Sequence, residues 1–324
     1  MKNIKKLLVI AIVLSMAMVA TCAFTACQDS TKGTIGIIQF GTHESLNDCY
    51  NGIILGLKEE LGDDFNNYKI ELQNSNFDPS TSGAQANEFV GKNVSLIGAI
   101  ATPSAMAAAS AAQDSQIPVV YCAVSDPKSA GLTTMENVTG TSDLLDYASQ
   151  LELIKAFIPT VDKIGVLYTT TEANSAAQLA ELKRHASELG IEIVSKSITN
   201  ANEIPSATDV LLTEEGLDCI TNLTDNTVVG ALDVILEKTN ALNIPVFGSE
   251  IDQVKAGCLA SASLDYVALG KTTGIMVAKI LKGEITATND EAKQIEESFN
   301  CYNSSVASTL GFTVPSIAGR DIAE

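Results

Sequence analysis

Two successive series of short, almost wholly apolar runs alternate with longer helical stretches along this chain, and few architectures accommodate that pattern. The first series has β-rich runs at 34–39, 68–73, 95–101 and 117–123, and the second has them at 163–169, 191–197, 219–223 and 245–247. Helical stretches fall between them near 45–61, 80–92, 103–115, 174–189, 203–215 and 227–241. The β runs are nearly all apolar rather than strictly alternating, as strands of a parallel sheet buried on both faces must be. Strand–helix alternation of this kind builds right-handed βαβ units. The expectation is therefore an α/β chain of two doubly wound, Rossmann-like lobes with a cleft between their strand ends. Segment 264–283 reads as a further helix, and a last β–α segment runs from about 295 to 311. Hinge crossings are expected near 142–145, 248–252 and 286–293. They divide the chain into residues 34–142 plus 253–286 for lobe 1 and 143–252 plus 287–324 for lobe 2.

The first residues carry a different signal. Lys2, Lys5 and Lys6 precede an apolar run at 7–20, and small residues lead up to Cys27. That is the layout of a secretory signal, and the run is too short for a membrane span. Phe24-Thr25-Ala26-Cys27 resembles a bacterial lipobox. The resemblance implies a signal peptide over 1–26, a lipidated Cys27 anchored in the membrane, and a tether over 27–33. Removing 1–26 takes away three lysines and no acid, leaving 17 basic against 39 acidic residues, a net charge of −22. So acidic a chain is a poor partner for nucleic acid or anionic lipid. Cys49, Cys122, Cys219, Cys258 and Cys301 remain, without CxxC or Cys/His spacing, so neither a metal site nor a disulfide framework is expected.

The polar residues gather where strands end. Gln39 and His43 follow the first run, Thr102, Pro103 and Ser104 the third, and Ser125 and Asp126 the fourth. Thr141, Ser142 and Asp143 stand before the first crossing. In the second half Asn174, Ser175, Asp225, Asn226 and Glu250 occupy the equivalent places. Helix capping selects the same residue types and accounts equally well for Thr102, Ser175 or Thr224 taken singly. Caps do not require the carboxylates of Asp126, Asp143, Glu172, Asp225 and Glu250 together, with Lys128 the one cation nearby. A cleft so lined suits an ammonium-bearing ligand, whose ammonium would meet Asp225 or Asp126. A ligand carboxylate would be held by helix N-terminal amides and the Thr141, Ser142 and Ser175 loops. Phe40, Tyr121 and Tyr168 could stack on a ring or belong to the core. No Walker loop, dinucleotide fingerprint, HExxH or GxSxG occurs, and His43 and His185 lack a triad partner by spacing. Neither enzymatic activity nor a cofactor or metal is expected.

Several of these segments, in order, carry a family likeness. Ile35-Gly36-Ile37-Ile38-Gln39 with His43, Ala101-Thr102-Pro103-Ser104-Ala105, Val124-Ser125-Asp126-Pro127 and Asn137-Val138-Thr139-Gly140-Thr141-Ser142-Asp143 belong to it. Glu172-Ala173-Asn174-Ser175 and Thr224-Asp225-Asn226 continue it. Together they resemble the ABC transporter substrate-binding family that includes tryptophan-binding lipoproteins. The resemblance implies a type I periplasmic-binding-protein fold and capture of a small molecule, an aromatic amino acid such as tryptophan. It also implies that the chain lies outside the cytoplasm and delivers its ligand to a permease with an ATPase. Another amine-bearing solute or a nucleoside in the same role, or a receptor ectodomain, stays open.

Overall fold

The computed structural model describes residues 31–294 and 298–323. The expected signal peptide, the expected lipidation site Cys27 and most of the expected tether lie outside the described residues. Among them no helix is long and apolar enough to cross a membrane.

Lobe 1 opens with β1 (Gly33–Gln39), α1 (Glu44–Leu61), β2 (Tyr68–Asn74), α2 (Pro79–Gly91), β3 (Leu96–Ile100), α3 (Thr102–Ala112), β4 (Val119–Cys122) and β5 (Val138–Ser142). The strands pair in parallel, with β1 central between β2 and β3, followed by β4 and β5. Ile35, Ile37 and Ile38 are almost wholly buried, which a sheet covered on both faces demands.

Lobe 2 takes the chain through α4 (Tyr147–Phe157), β6 (Lys163–Thr169), α5 (Ala173–Glu188), β7 (Glu192–Ile198), α6 (Ile204–Leu212), β8 (Cys219–Thr221), α7 (Asn226–Val229), α8 (Leu232–Ala241), β9 (Val246–Phe247), α9 (Ile251–Ala256) and β10 (Ala260–Ser263). Strands β7, β6, β8 and β9 form a parallel sheet. The Leu259 N–H donates to Val246 O and the Gly248 N–H to Ala260 O, carrying the layer on to β10.

The chain returns to lobe 1 as α10 (Tyr266–Leu281), which packs along α1, and then as β11 (Lys293–Gln294) beside β5. It ends in lobe 2 with β12 (Phe299–Tyr302) antiparallel to β10, α11 (Ser304–Leu310) and β13 (Arg320–Asp321). The pairing moves two expected crossings. The second lies after Ser263, not near 248–252, because α9 and β10 stay with lobe 2. The third lies beyond Gln294, not near 286–293, because β11 still pairs with β5. Residues 253–263 therefore go with lobe 2, and 287–294 with lobe 1.

The α1–α10 contact is set by glycine. A Cβ on Gly52 would stand 2.3 Å from Val267 O, and one on Gly274 would stand 2.2 Å from Ile53 O. Two helix backbones touch there with no side chain between them.

Candidate functional site

Three successive strand ends of lobe 1 share an unusual backbone. Phe77, Ala101 and Ala123 have φ of 62°, 78° and 58°, positive values that cost a side-chain-bearing residue about 1–3 kcal/mol each. Such strain is tolerated where the surrounding structure fixes it. Here it turns the chain sharply off the sheet and directs Thr102 and Ser125 toward lobe 2. From lobe 1 His43, Ser45, Leu46, Thr102, Ala123 and Ser125 reach the cleft, joined by Asp143 at the first crossing and Tyr266 at the second. Lobe 2 answers with Asn174, Thr224, Asn226, Val229, Ser249, Glu250 and Gln253. Together they surround a narrow cavity between the lobes, with only about 20 Å3 of room for water-sized molecules.

The lobes meet directly around it. Ser125 Oγ and Thr224 Oγ1 are 3.0 Å apart, and Gln178 Nε2 donates to Ser125 Oγ at 2.8 Å. His43 Nε2 lies 3.3 Å from Asn226 Oδ1. The His43 ring is parallel to Phe77 at 6.4 Å, and Phe77 stands edge-on to Phe40 at 6.0 Å.

Buried polar atoms ordinarily find partners, so those that do not are informative. His43 Nδ1, Ser45 Oγ, Asp143 Oδ1 and Asn174 Oδ1 are buried without a hydrogen-bond partner, and all four residues line the cavity. Among the described residues no lysine or arginine lines it. The other oxygen of Asp143 accepts from the Tyr266 hydroxyl at 2.8 Å. Burial raises the Asp143 pKa, and the Tyr266 hydrogen bond opposes that rise. Glu250 accepts from the backbone N–H groups of Asp252 and Gln253 at 2.6 and 2.9 Å, capping α9. Burial, then the neighbouring Asp252, lifts it to about 7. Among the described residues no cluster of three His, Cys, Asp or Glu could hold a metal ion.

Seven residues singled out from sequence thus line the cavity: His43, Thr102, Ser125, Asp143, Asn174, Asn226 and Glu250. The others stand behind it. Gln39 donates to Gly41 O and Asn47 Oδ1, shaping the His43 loop. Pro103 opens α3, and Ser104 is buried beside Ser82. Thr141 bonds Thr273 of α10 at 2.7 Å, and Ser142 donates to Ser125 O. Ser175 is buried in the first turn of α5.

Both carboxylates chosen for an ammonium are corrected. Asp225 accepts from the Thr169 N–H, the Thr169 hydroxyl and the Val228 N–H, so its oxygens are spent joining β6 to α7. Asp126 caps its own turn through Lys128 N and Ser129 N and lies outside the cavity lining. Phe40, Tyr121 and Tyr168 do not line the cavity either. Ala123, Thr224 and Ser249 line the cavity from strand ends next to residues already named, and sequence reasoning missed Ser45, Leu46, Val229, Gln253 and Tyr266 altogether. Of these, Tyr266 alone had a local signal, a helix start after the Asp265 cap.

Residues 34–317 match the family model for ABC transporter substrate binding proteins. A tyrosine-binding protein of Clostridioides difficile is 36% identical over 292 residues, covering 86% of this chain and 84% of the relative. A Streptococcus pneumonia ABC domain crystallised with L-Trp superposes with a TM-score of 0.84 at 33% identity, over 90% of this chain and all of that one. A Clostridium difficile substrate binding protein with adhesive properties, in a ligand-free open form, gives 0.66 at 35% identity over 89% and 98%. At nearly equal identity, the better match to the liganded neighbour accords with the direct bonds between the lobes here.

Proposed function

The chain belongs to the ABC transporter substrate-binding protein family, and from that premise we propose that its cavity closes over an aromatic α-amino acid. A protein of this family is an extracytoplasmic binding component of an ABC transporter rather than an enzyme. The observation that carries the ligand reading is the pair of bare, buried acceptors, Asp143 Oδ1 and Asn174 Oδ1, in a cavity lined by no lysine or arginine among the described residues. Left unpaired, such atoms carry the full cost of their desolvation, and an ammonium group removes it. The ligand carboxylate meets the first turn of α3 at Thr102 and the hydroxyls of Ser45 and Ser125. Its ring lies against Leu46, Ala123, Val229 and Tyr266. The relatives named for tyrosine and crystallised with L-Trp support an aromatic side chain.

A thermal-shift screen tests this. A ligand that binds only the native state, at a hundred times its Kd, stabilises by about 2.7 kcal/mol. L-Tyrosine and L-tryptophan raise Tm by several degrees on that scale, whereas sugars and dicarboxylates leave it in place. A screen in which only sugars shift Tm overturns the reading.

The same reading places the protein on the membrane through lipid on Cys27, supported by the small residues before it and the charged, then apolar, leader. Cys27→Ser releases the protein from the membrane fraction. Retention of that variant to the wild-type extent removes the lipid anchor.

A further inference from the structure

Glu172 lies outside the cavity lining, wholly buried between β6 and α5. Its Oε2 accepts from the Asn226 backbone N–H at 3.1 Å and from Asn226 Nδ2 at 2.7 Å. Its Oε1 accepts from the Thr227 N–H at 2.9 Å and the Thr227 hydroxyl at 2.8 Å. With Asn226 Nδ2 turned to Glu172, the Oδ1 of that amide faces His43 Nε2 across the lobe boundary. An amide oxygen only accepts, so Nε2 carries the imidazole hydrogen. Burial pushes His43 down to about 4, so the ring is neutral and has a single N–H. Nδ1 is then a bare lone pair, buried and without a partner. Asn174 is oriented by the same carboxylate. Its Nδ2 donates to Thr224 O at 2.9 Å and lies 3.5 Å from Glu172 Oε2, leaving Oδ1 bare.

We propose that Glu172 is a positioning residue that sets the hydrogen-bond polarity of this end of the cavity, so that it takes a ligand N–H or O–H donor and rejects a group that only accepts. The proposal rests on the cavity being the amino-acid site. Two ligand groups supply that chemistry, the ammonium and a phenol or indole donor on the ring. Burial, then the charge of Asp225, lifts the Glu172 carboxyl to about 8. The polarity survives its protonation: a proton on Oε1 is donated to the Thr227 hydroxyl, and Oε2 still accepts from both asparagines.

The chain has two histidines, so 15N-imidazole spectra are simple, and His185→Gln assigns the half-buried one. Ligand-free wild type shows His43 with Nε2 protonated and Nδ1 bare from about pH 6 to 9, above its own titration. An Nδ1–H form there overturns the proposal. Glu172→Ala removes the acceptor of Asn226 Nδ2, so that amide is free to turn. In that variant His43 becomes a mixture of tautomers, and affinity for L-tyrosine falls at least about tenfold. An unchanged spectrum with unchanged affinity overturns it. If Glu172→Ala does not fold, Asn226→Ala removes the amide through which Glu172 acts, and a His43 that keeps its single Nε2–H tautomer there overturns the proposal. A loss equal for L-tyrosine, L-tryptophan and L-phenylalanine identifies the ammonium as the donor, and one absent for L-phenylalanine identifies the ring. The ligand-free spectrum does not depend on the solute, so a wrong ligand class appears as absent binding with the tautomer intact.

Discussion

Asp143→Asn lowers affinity for an aromatic amino acid about ten- to a hundredfold, while the ligand-free protein melts no lower than wild type. The first half follows from the hydrogen bonds. The Asp143 oxygen facing Tyr266 accepts its hydroxyl at 2.8 Å, and asparagine keeps an oxygen for that contact. The other atom, now the bare Oδ1, becomes an N–H2 directed at the ligand ammonium. A charge-assisted bond is thereby exchanged for two donors facing each other, a loss of about 1.5–3 kcal/mol. The second half follows from burial. Asp143 is 3% exposed and its pKa is raised, so folding without ligand works against its charge. The neutral isostere relieves that cost. Titration calorimetry and ligand-free melting on one variant read the two effects separately. Unchanged affinity refutes the ammonium contact, and a collapse of ligand-free stability makes Asp143 a structural residue.

Among the buried strands, those legible from sequence are the ones whose burial is written in large apolar side chains. Strand β6 has the expected bounds, Lys163–Thr169. Strands β5 and β10 are absent from the expected series because their burial is carried by small and hydroxyl residues. Val138-Thr139-Gly140-Thr141-Ser142 is wholly buried, and Thr141 is satisfied by Thr273, a partner 132 residues away. Ala260-Ser261-Ala262-Ser263 is equally buried, and missing it misplaced the second crossing. The site divides the same way. Sequence located the strand-end loops, since polar residues after apolar runs mark them. Direction within a loop was not legible. Asp225 and Asn226 are neighbours, yet one turns inward to Thr169 and the other faces His43. Tyr266 meets Asp143 only through the return of α10 to lobe 1, and nothing local announces that contact.

The same return gives the second large effect. Alanine in place of glycine within a helix ordinarily stabilises by about 0.5–1 kcal/mol. Gly83 in α2 has no atom within 4 Å of an added Cβ, so Gly83→Ala follows that rule. Gly274→Ala reverses it. Its Cβ would stand 2.2 Å from Ile53 O and 2.9 Å from Leu57 N, and Gly270 and Gly56 meet backbone as closely. A carbonyl held in a helix cannot swing aside as a side-chain tip can, so the two helices must separate. Overpacking of this kind costs about 1–3 kcal/mol and sometimes more, and here every displaced neighbour is backbone. Gly274→Ala therefore lowers Tm by about 2–12 °C, taking about 2–4 °C per kcal/mol for a chain of this order. Binding weakens with it. The first turn of α1 carries Ser45 and Leu46, and the first residue of α10 is Tyr266, so parting these helices opens the lobe 1 side of the cavity. Thermal melts of the two alanine variants decide the matter, because they differ only in what the new methyl meets. If Gly274→Ala proves as stable as Gly83→Ala, the helix contact is looser than described and does not hold the cavity wall.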